Sequence, residues 1–187
     1  VKKRGASGTS WLTGYNVAGA TGGFSAPLQL NSAAAAIGSD AGYFNSANPS
    51  ASIITLGYYG DTNATTTMIA YAFHSVEGYS KVGSYTGNGN ADGTFFYTGF
   101  RPAYILMKRT DSTGNWFIED EDRLGYNPRN YDLLADDTAV EQTDEDRFDF
   151  LSNGFKCRNT TASSNASGGT FIYLAFARSP FKYSNAR

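Results

Sequence analysis

The chain has 187 residues, enough for one sizeable domain or two small ones, and a formal net charge of -2. Aromatic residues make up 15% of it, Gly stands at 21, and charged residues are held to 17% with no segregation by sign; this leans to an antiparallel β fold and excludes a basic nucleic-acid-binding surface. Cys157 and His74 are the single cysteine and histidine, which excludes an internal disulfide and the usual zinc sites, and no apolar run approaches a membrane span or a signal peptide.

In chain order, Val1-Lys-Lys-Arg4 has no initiator Met and reads as the middle of a strand; the expectation is a piece cut from something longer. Ser32-Ala-Ala-Ala-Ala-Ile37 is the one helix candidate, too short to be stable alone. Met68–Phe73 is a continuous apolar run, expected as a central strand buried on both faces, with His74 as the polar residue at its end. Phe95–Tyr97, Ala103–Lys108 and Asn115–Glu119 follow as strands broken by Thr-Gly and Arg-Pro turn signals. Asp120–Tyr131 and Ala135–Arg147, the second of them acidic, read as long surface loops. Phe148–Phe150 and Gly154–Arg158 are the next strands, with Asn153-Gly154 marking a tight turn and Cys157 expected as a small buried hydrophobe. Thr170–Ala177 is a second run of the doubly buried kind. Short strands with regular turns imply a β-sandwich of the jelly-roll, lectin-like kind.

The chain also reads as a tandem repeat. Without a gap, Val1–Trp11 lies over Leu106–Trp116, matching Lys3/Lys108, Arg4/Arg109, Ser7/Ser112 and Trp11/Trp116. Leu28-Gln-Leu30 parallels Leu133-Leu134, Asn63–Phe73 parallels Asn165–Phe176, and Tyr79-Ser80 parallels Tyr183-Ser184. The expected division is 1–82 for a first copy, incomplete at its N-terminus, and 83–187 for a second, the two either separate sandwiches or merged into one unit. The second copy carries a leader, Gly83–Pro102, that the first lacks; the missing strands would come from upstream sequence, a shared core or a neighbouring subunit. Both tryptophans fall in the repeated motif, which points to a folding role as core anchors.

The runs Gly99–Arg109, Gly114–Ile118, Asp149–Lys156 and Ile172–Ala177 resemble a repeated, tail-fibre-like domain of tailed-phage virion proteins from aquatic bacteria, usually described as a concanavalin-like lectin or glucanase sandwich; the ending Pro180–Arg187 looks like the natural end of such proteins. The resemblance implies a bacteriophage virion protein of the tail-fibre, receptor-binding type. It would be a homo-oligomer, a trimer, that meets other virion proteins and contacts host-surface glycans multivalently. The alternative is a non-catalytic decoration or cement protein of capsid or tail, and the third is a glycan hydrolase.

Glycan contact needs aromatic rings beside amides and carboxylates, which Tyr126, Asn127, Arg129, Asn130 and Tyr131 offer in one loop. Tyr58-Tyr59-Gly60-Asp61 and Tyr85-Thr86-Gly87-Asn88 are similar. Asp120, Asp122, Asp136 and Asp137 are hard oxygen donors suited to calcium, the one metal expected, although no EF-hand spacing is present. For hydrolysis, Glu119 and Glu121 would share a strand face, but the third alternating position is Arg123 where the glucanase pattern wants an acid. No enzyme is expected, and nothing around His74 suggests a triad.

Overall fold

The computed structural model describes residues 1–5 and 8–180. Ser7 and the expected match of Tyr79-Ser80 to Tyr183-Ser184, with the chain's ending from residue 181, lie outside the described residues. The rest is all-β. In chain order the elements are β1 (Lys2–Lys3), β2 (Leu12–Thr13), β3 (Leu28–Gln29), α1 (Ala41–Phe44), β4 (Met68–Ile69), β5 (Ser80–Thr86), β6 (Phe95–Tyr97), β7 (Pro102–Arg109), β8 (Trp116–Asp120), β9 (Leu133–Leu134), β10 (Phe148–Leu151), β11 (Gly154–Cys157), α2 (Ala162–Asn165) and β12 (Thr170–Ala177).

All pairings are antiparallel. A five-stranded sheet runs β5-β12-β7-β8-β9 and a three-stranded sheet runs β10-β11-β6. Alternation decides which side chains meet between them. Ile105, Met107, Phe117, Phe171, Tyr173 and Ala175 leave one face of the larger sheet and pack on Phe148, Phe150, Phe155 and Cys157 of the smaller. Aromatic edges fill this core, as in Phe148–Phe155 at 5.3 Å and Phe155–Tyr173 at 5.0 Å, both near perpendicular. Cys157 is fully buried there, and burial pushes its thiol up to about 12. The β10–β11 hairpin turns through Ser152-Asn153, with Leu151 opposite Gly154. Gly154 is needed for a close approach, since a Cβ there would collide with the Phe96 carbonyl.

The opposite face of the larger sheet is covered by the N-terminal segment. Trp116 and Ile172 pack with Tyr15 and Leu28, and the Trp116 indole donates to the Gln29 carbonyl at 2.9 Å. Lys108 is buried under the same segment, where its ammonium donates to the carbonyls of Ala33 at 3.2 Å and Arg109 at 2.8 Å. Its burial lowers its pKa to about 8. The expected boundary at 82/83 falls inside β5, so no division of the chain can be drawn there without cutting a strand.

Two further expectations are corrected. Ser32–Ile37 forms no helix, because tertiary bonds hold it extended: the Ala36 amide donates to the Thr110 carbonyl at 3.0 Å and Ile37 to Pro27 at 2.8 Å. The helices, α1 and α2, are single turns elsewhere. Met68–Phe73 is not a buried central strand. Only Met68–Ile69 pairs, with β1, and residues 70–75 are all exposed.

The paired motifs share specific bonds. β2 meets β3 with Leu12 opposite Gln29, and β8 meets β9 with Phe117 opposite Leu134. The Trp11 carbonyl accepts from the Leu30 amide at 2.9 Å and the Trp116 carbonyl from Ala135 at 2.9 Å. The Trp11 amide donates to the Asn31 side chain at 2.8 Å and the Trp116 amide to Asp136 at 2.8 Å. The Lys-Lys strand differs from the ungapped reading by one residue. Lys2 faces Ile69 as Lys108 faces Ile172, and Arg4 donates to Thr67 as Thr110 donates to Thr170, both at 2.9 Å. Lys2, rather than Lys3, therefore stands where Lys108 stands. The extra residue falls between Arg4 and Trp11, where Gly5 and Gly8 take positive φ of 75° and 76°.

Candidate functional site

The loop after β8 carries most of the expected site residues, and its chemistry is directed inward. Asn127 is clamped to β10: its amide donates to the Phe150 carbonyl at 2.9 Å and its oxygen accepts from the Phe150 amide at 2.9 Å. Arg129 is 1% exposed, donates to the Glu121 carbonyl at 2.9 Å, and lies over the Phe150 ring at 5.1 Å. Its backbone bridges to Phe148. Asn130 is half-buried and donates to Asp146 at 3.3 Å, Tyr131 is half-buried, and Tyr126 alone stands well exposed. The five residues thus give no common outer face; Asn127 and Arg129 correct the expectation of a loop offering amides and a guanidinium to solvent. The sequence does not reveal this, because an Arg reads as a surface residue until its carboxylate partner is known.

That partner is Glu121, 5% exposed, whose Oε1 accepts from Arg101 at 2.8 and 2.6 Å and from Arg178 at 2.8 Å, with Arg129 at 3.6 Å. Glu119, on β8, is 1% exposed. Burial first, and then the hydrogen-bonded Asp132 carboxylate, push its carboxyl well above the usual range, which Arg147 and Arg129 only partly offset. Asp132 is fully buried and ion-paired with Arg147, which stacks on Phe117 at 3.7 Å and donates to Gln142 at 3.2 Å. This is a buried ionic brace that ties the two long loops to the sheet.

The four aspartates expected as calcium ligands do not converge. Asp120 ends β8 and caps its own turn, accepting from the Asp122 amide at 2.8 Å. Asp136 binds the Trp116 amide at the other end of the strand, roughly 13 Å away at the usual rise per residue. Asp137 accepts from Ala139 at 3.0 Å. Among the described residues no group of three or more His, Cys, Asp or Glu side chains could hold a metal ion. The donor set does not fit calcium, and the aspartates serve as turn and strand caps. His74 is exposed, with its ring at 3.0 Å from the Ser75 carbonyl.

The surface holds a feature of a different kind. Ala70-Tyr-Ala-Phe-His-Ser75 follows β4 outside any regular element and is exposed, with Tyr71 at 64% and Phe73 at 59%. Among the described residues Ala70–Phe73 make no backbone hydrogen bond beyond the β4 pairing. Phe73, Tyr79 and Tyr104 converge on Phe176, with ring centroids at 6.2, 5.8 and 6.0 Å. By the register above, Ala70–Ser75 corresponds to Tyr173–Arg178, and Tyr173–Phe176 of that stretch lie between β5 and β7. An apolar strand with open edges binds strands.

No curated protein and no solved structure matches the chain. Residues 1–180 match the model of a domain of unknown function, DUF7483, and the chain belongs to that family.

Proposed function

We propose that the chain is a virion structural module of the tail-fibre kind, a jelly-roll β-sandwich built on a tandem repeat, which works by contact between subunits and not by catalysis. The observation that carries the reading is the exposed apolar stretch Ala70–Phe73 that continues β4. A run of this composition left in water is a cost, and a strand from a neighbouring subunit would remove it by pairing with the open backbone and covering Tyr71 and Phe73. The matched bonds around Trp11 and Trp116 support the repeat, and the packing of the two larger sheets on each other supports the sandwich. The burial of Glu119 and Glu121 argues against hydrolysis.

Light scattering of the purified chain over a range of concentrations tests it. A discrete oligomer, a trimer by the tail-fibre reading, is expected, and Tyr71→Lys combined with Phe73→Lys dissociates it while leaving the circular dichroism unchanged. A wild-type chain that stays monomeric at all concentrations removes the reading.

A second reading, contact with host-surface glycans, is favoured by one observation: an exposed cluster of tyrosines beside Asp40, remote in sequence from the loop at 126–131.

A further inference from the structure

Tyr43, Tyr58 and Tyr59 stand together over the single turn of α1. Tyr43 meets Tyr59 at 4.9 Å and Tyr58 meets Tyr59 at 4.8 Å, both nearly edge to face. Tyr58 is 73% exposed. Loop tyrosines are ordinarily held by packing; here the holding is done by the backbone beneath them. The Tyr59 amide donates to Gly42 at 2.8 Å, and Gly57 donates to Tyr43 at 2.8 Å. Thr62 is fully buried and its hydroxyl ties the loop to the Tyr43 carbonyl at 2.7 Å, while Asn63 donates to the Gly57 carbonyl at 2.8 Å. The Tyr59 ring lies flat on Gly42, where any Cβ would collide with it, and Gly57 sits as closely on the α1 backbone. The Asp40 carboxylate caps α1 by accepting from the Gly42 amide at 2.7 Å, under the Tyr59 ring, and pushes the Tyr59 phenol up to about 12.

The result is a rigid ring surface with a fixed carboxylate at its margin, both reachable from solvent. Two ligand chemistries use aromatic rings with a carboxylate. A quaternary ammonium needs rings set apart so that their faces enclose it, each within about 6 Å of the cation. Rings in direct contact leave no such gap. A pyranose needs one open ring face for its C–H surface and one acceptor for its hydroxyls, and this is what Tyr58 and Asp40 provide. The carboxylate, with Asp61 two residues beyond Tyr59 in the same loop, disfavours acidic sugars.

We propose that Asp40, Tyr43, Tyr58 and Tyr59 form a binding site for a neutral hexopyranose, with Tyr58 as the stacking ring and Asp40 as the hydroxyl acceptor. The site rests on the glycan-contact reading and is independent of the strand edge at 70–75.

The test is a glycan array of neutral, amino and acidic saccharides, read with the wild-type chain and three variants. Asp40→Asn keeps a good helix cap and Tyr58→Ala removes an exposed ring, so both are expected to fold. Tyr126→Ala removes an equally exposed tyrosine elsewhere. The expected result is wild-type binding to neutral saccharides, at least tenfold weaker in Tyr58→Ala and in Asp40→Asn, unchanged in Tyr126→Ala, and not displaced by choline chloride. A wild-type chain that binds saccharides as well after Tyr58→Ala overturns the site and leaves glycan contact standing. A blank array overturns both, and displacement by choline overturns the ligand class.

Discussion

Residues 67–75 and 170–178 make an instructive pair. Each begins with a Thr whose carbonyl accepts from the opposite strand at 2.9 Å, and each pairs with a lysine-bearing strand in the same register. From there they part. Tyr173, Ala175 and Phe171 are buried in the main core, while Ala70–Ser75 are in solvent. Nothing in the two sequences separates them, since both read as doubly buried strands. The difference lies in what comes alongside: β5 and β7 flank β12, whereas among the described residues no strand pairs with Ala70–Phe73, and His74 and Ser75 bond to Ser80 and Val82 of β5. Local sequence sets register and turn; burial is conferred by neighbours.

Proline is the sharpest way to break this comparison. Ala175→Pro removes a ladder bond in the middle of the sheet and is expected to cost 3 kcal/mol or more, preventing a cooperative urea transition. Ala72→Pro, at the corresponding position, is expected to leave the transition of the isolated chain within about 0.5 kcal/mol while weakening self-association. An equal loss in both would mean that residues 70–75 are already paired.

The tryptophans come next in size. Trp116 is buried and bonded through its indole, whereas Trp11 is half-buried and stacks on Tyr71 at 6.1 Å. Trp116→Ala should cost about 3–5 kcal/mol by chemical denaturation and Trp11→Ala about 1 kcal/mol in the monomer. A larger Trp11 effect that appears only above the association concentration would show that this ring is buried by a partner.

Among the described residues the first segment shows no buried pair like Asp132–Arg147, so the pH dependence of this brace reports on the second segment. The Glu119 carboxyl is raised in the fold. Its contribution is therefore fully present below the ordinary value of 4.5 and is lost as pH rises through the raised value. Glu119→Gln cannot ionise and keeps a donor for Asp132. It is expected to gain about 1–2 kcal/mol at pH 8 and nothing at pH 4, measured by urea melts at both. The smallest effect compares the caps: Asn31→Ala and Asp136→Ala each remove one acceptor from a tryptophan amide, and each should cost about 1 kcal/mol.

Much of the second segment is legible in the sequence because its strands are apolar runs punctuated by Gly and Pro; β7, β8, β10, β11 and β12 fall within a residue or two of their expected ends. The four alanines at 33–36 mislead, since four good helix formers cannot nucleate a helix against two tertiary backbone bonds. The site was less legible. Aspartates in turns look like metal ligands until their amide partners are seen, and Arg129 looks like a surface cation until Glu121 is placed beneath it. Tyr58-Tyr59 carried a usable signal, two adjacent rings between Gly57 and Gly60, but Asp40 could be joined to them only through the fold.

The place of β12 has a consequence for how the chain is made. The strand nearest the end of the described chain is an interior strand of the largest sheet, between β5 and β7. During synthesis β5 and β7 must wait, each with an open edge, until residues 170–177 arrive to join them. A translating ribosome therefore carries a half-built sheet from the completion of β5 until β12 emerges, and a stalled or truncated product ending before Thr170 is released in an aggregation-prone form.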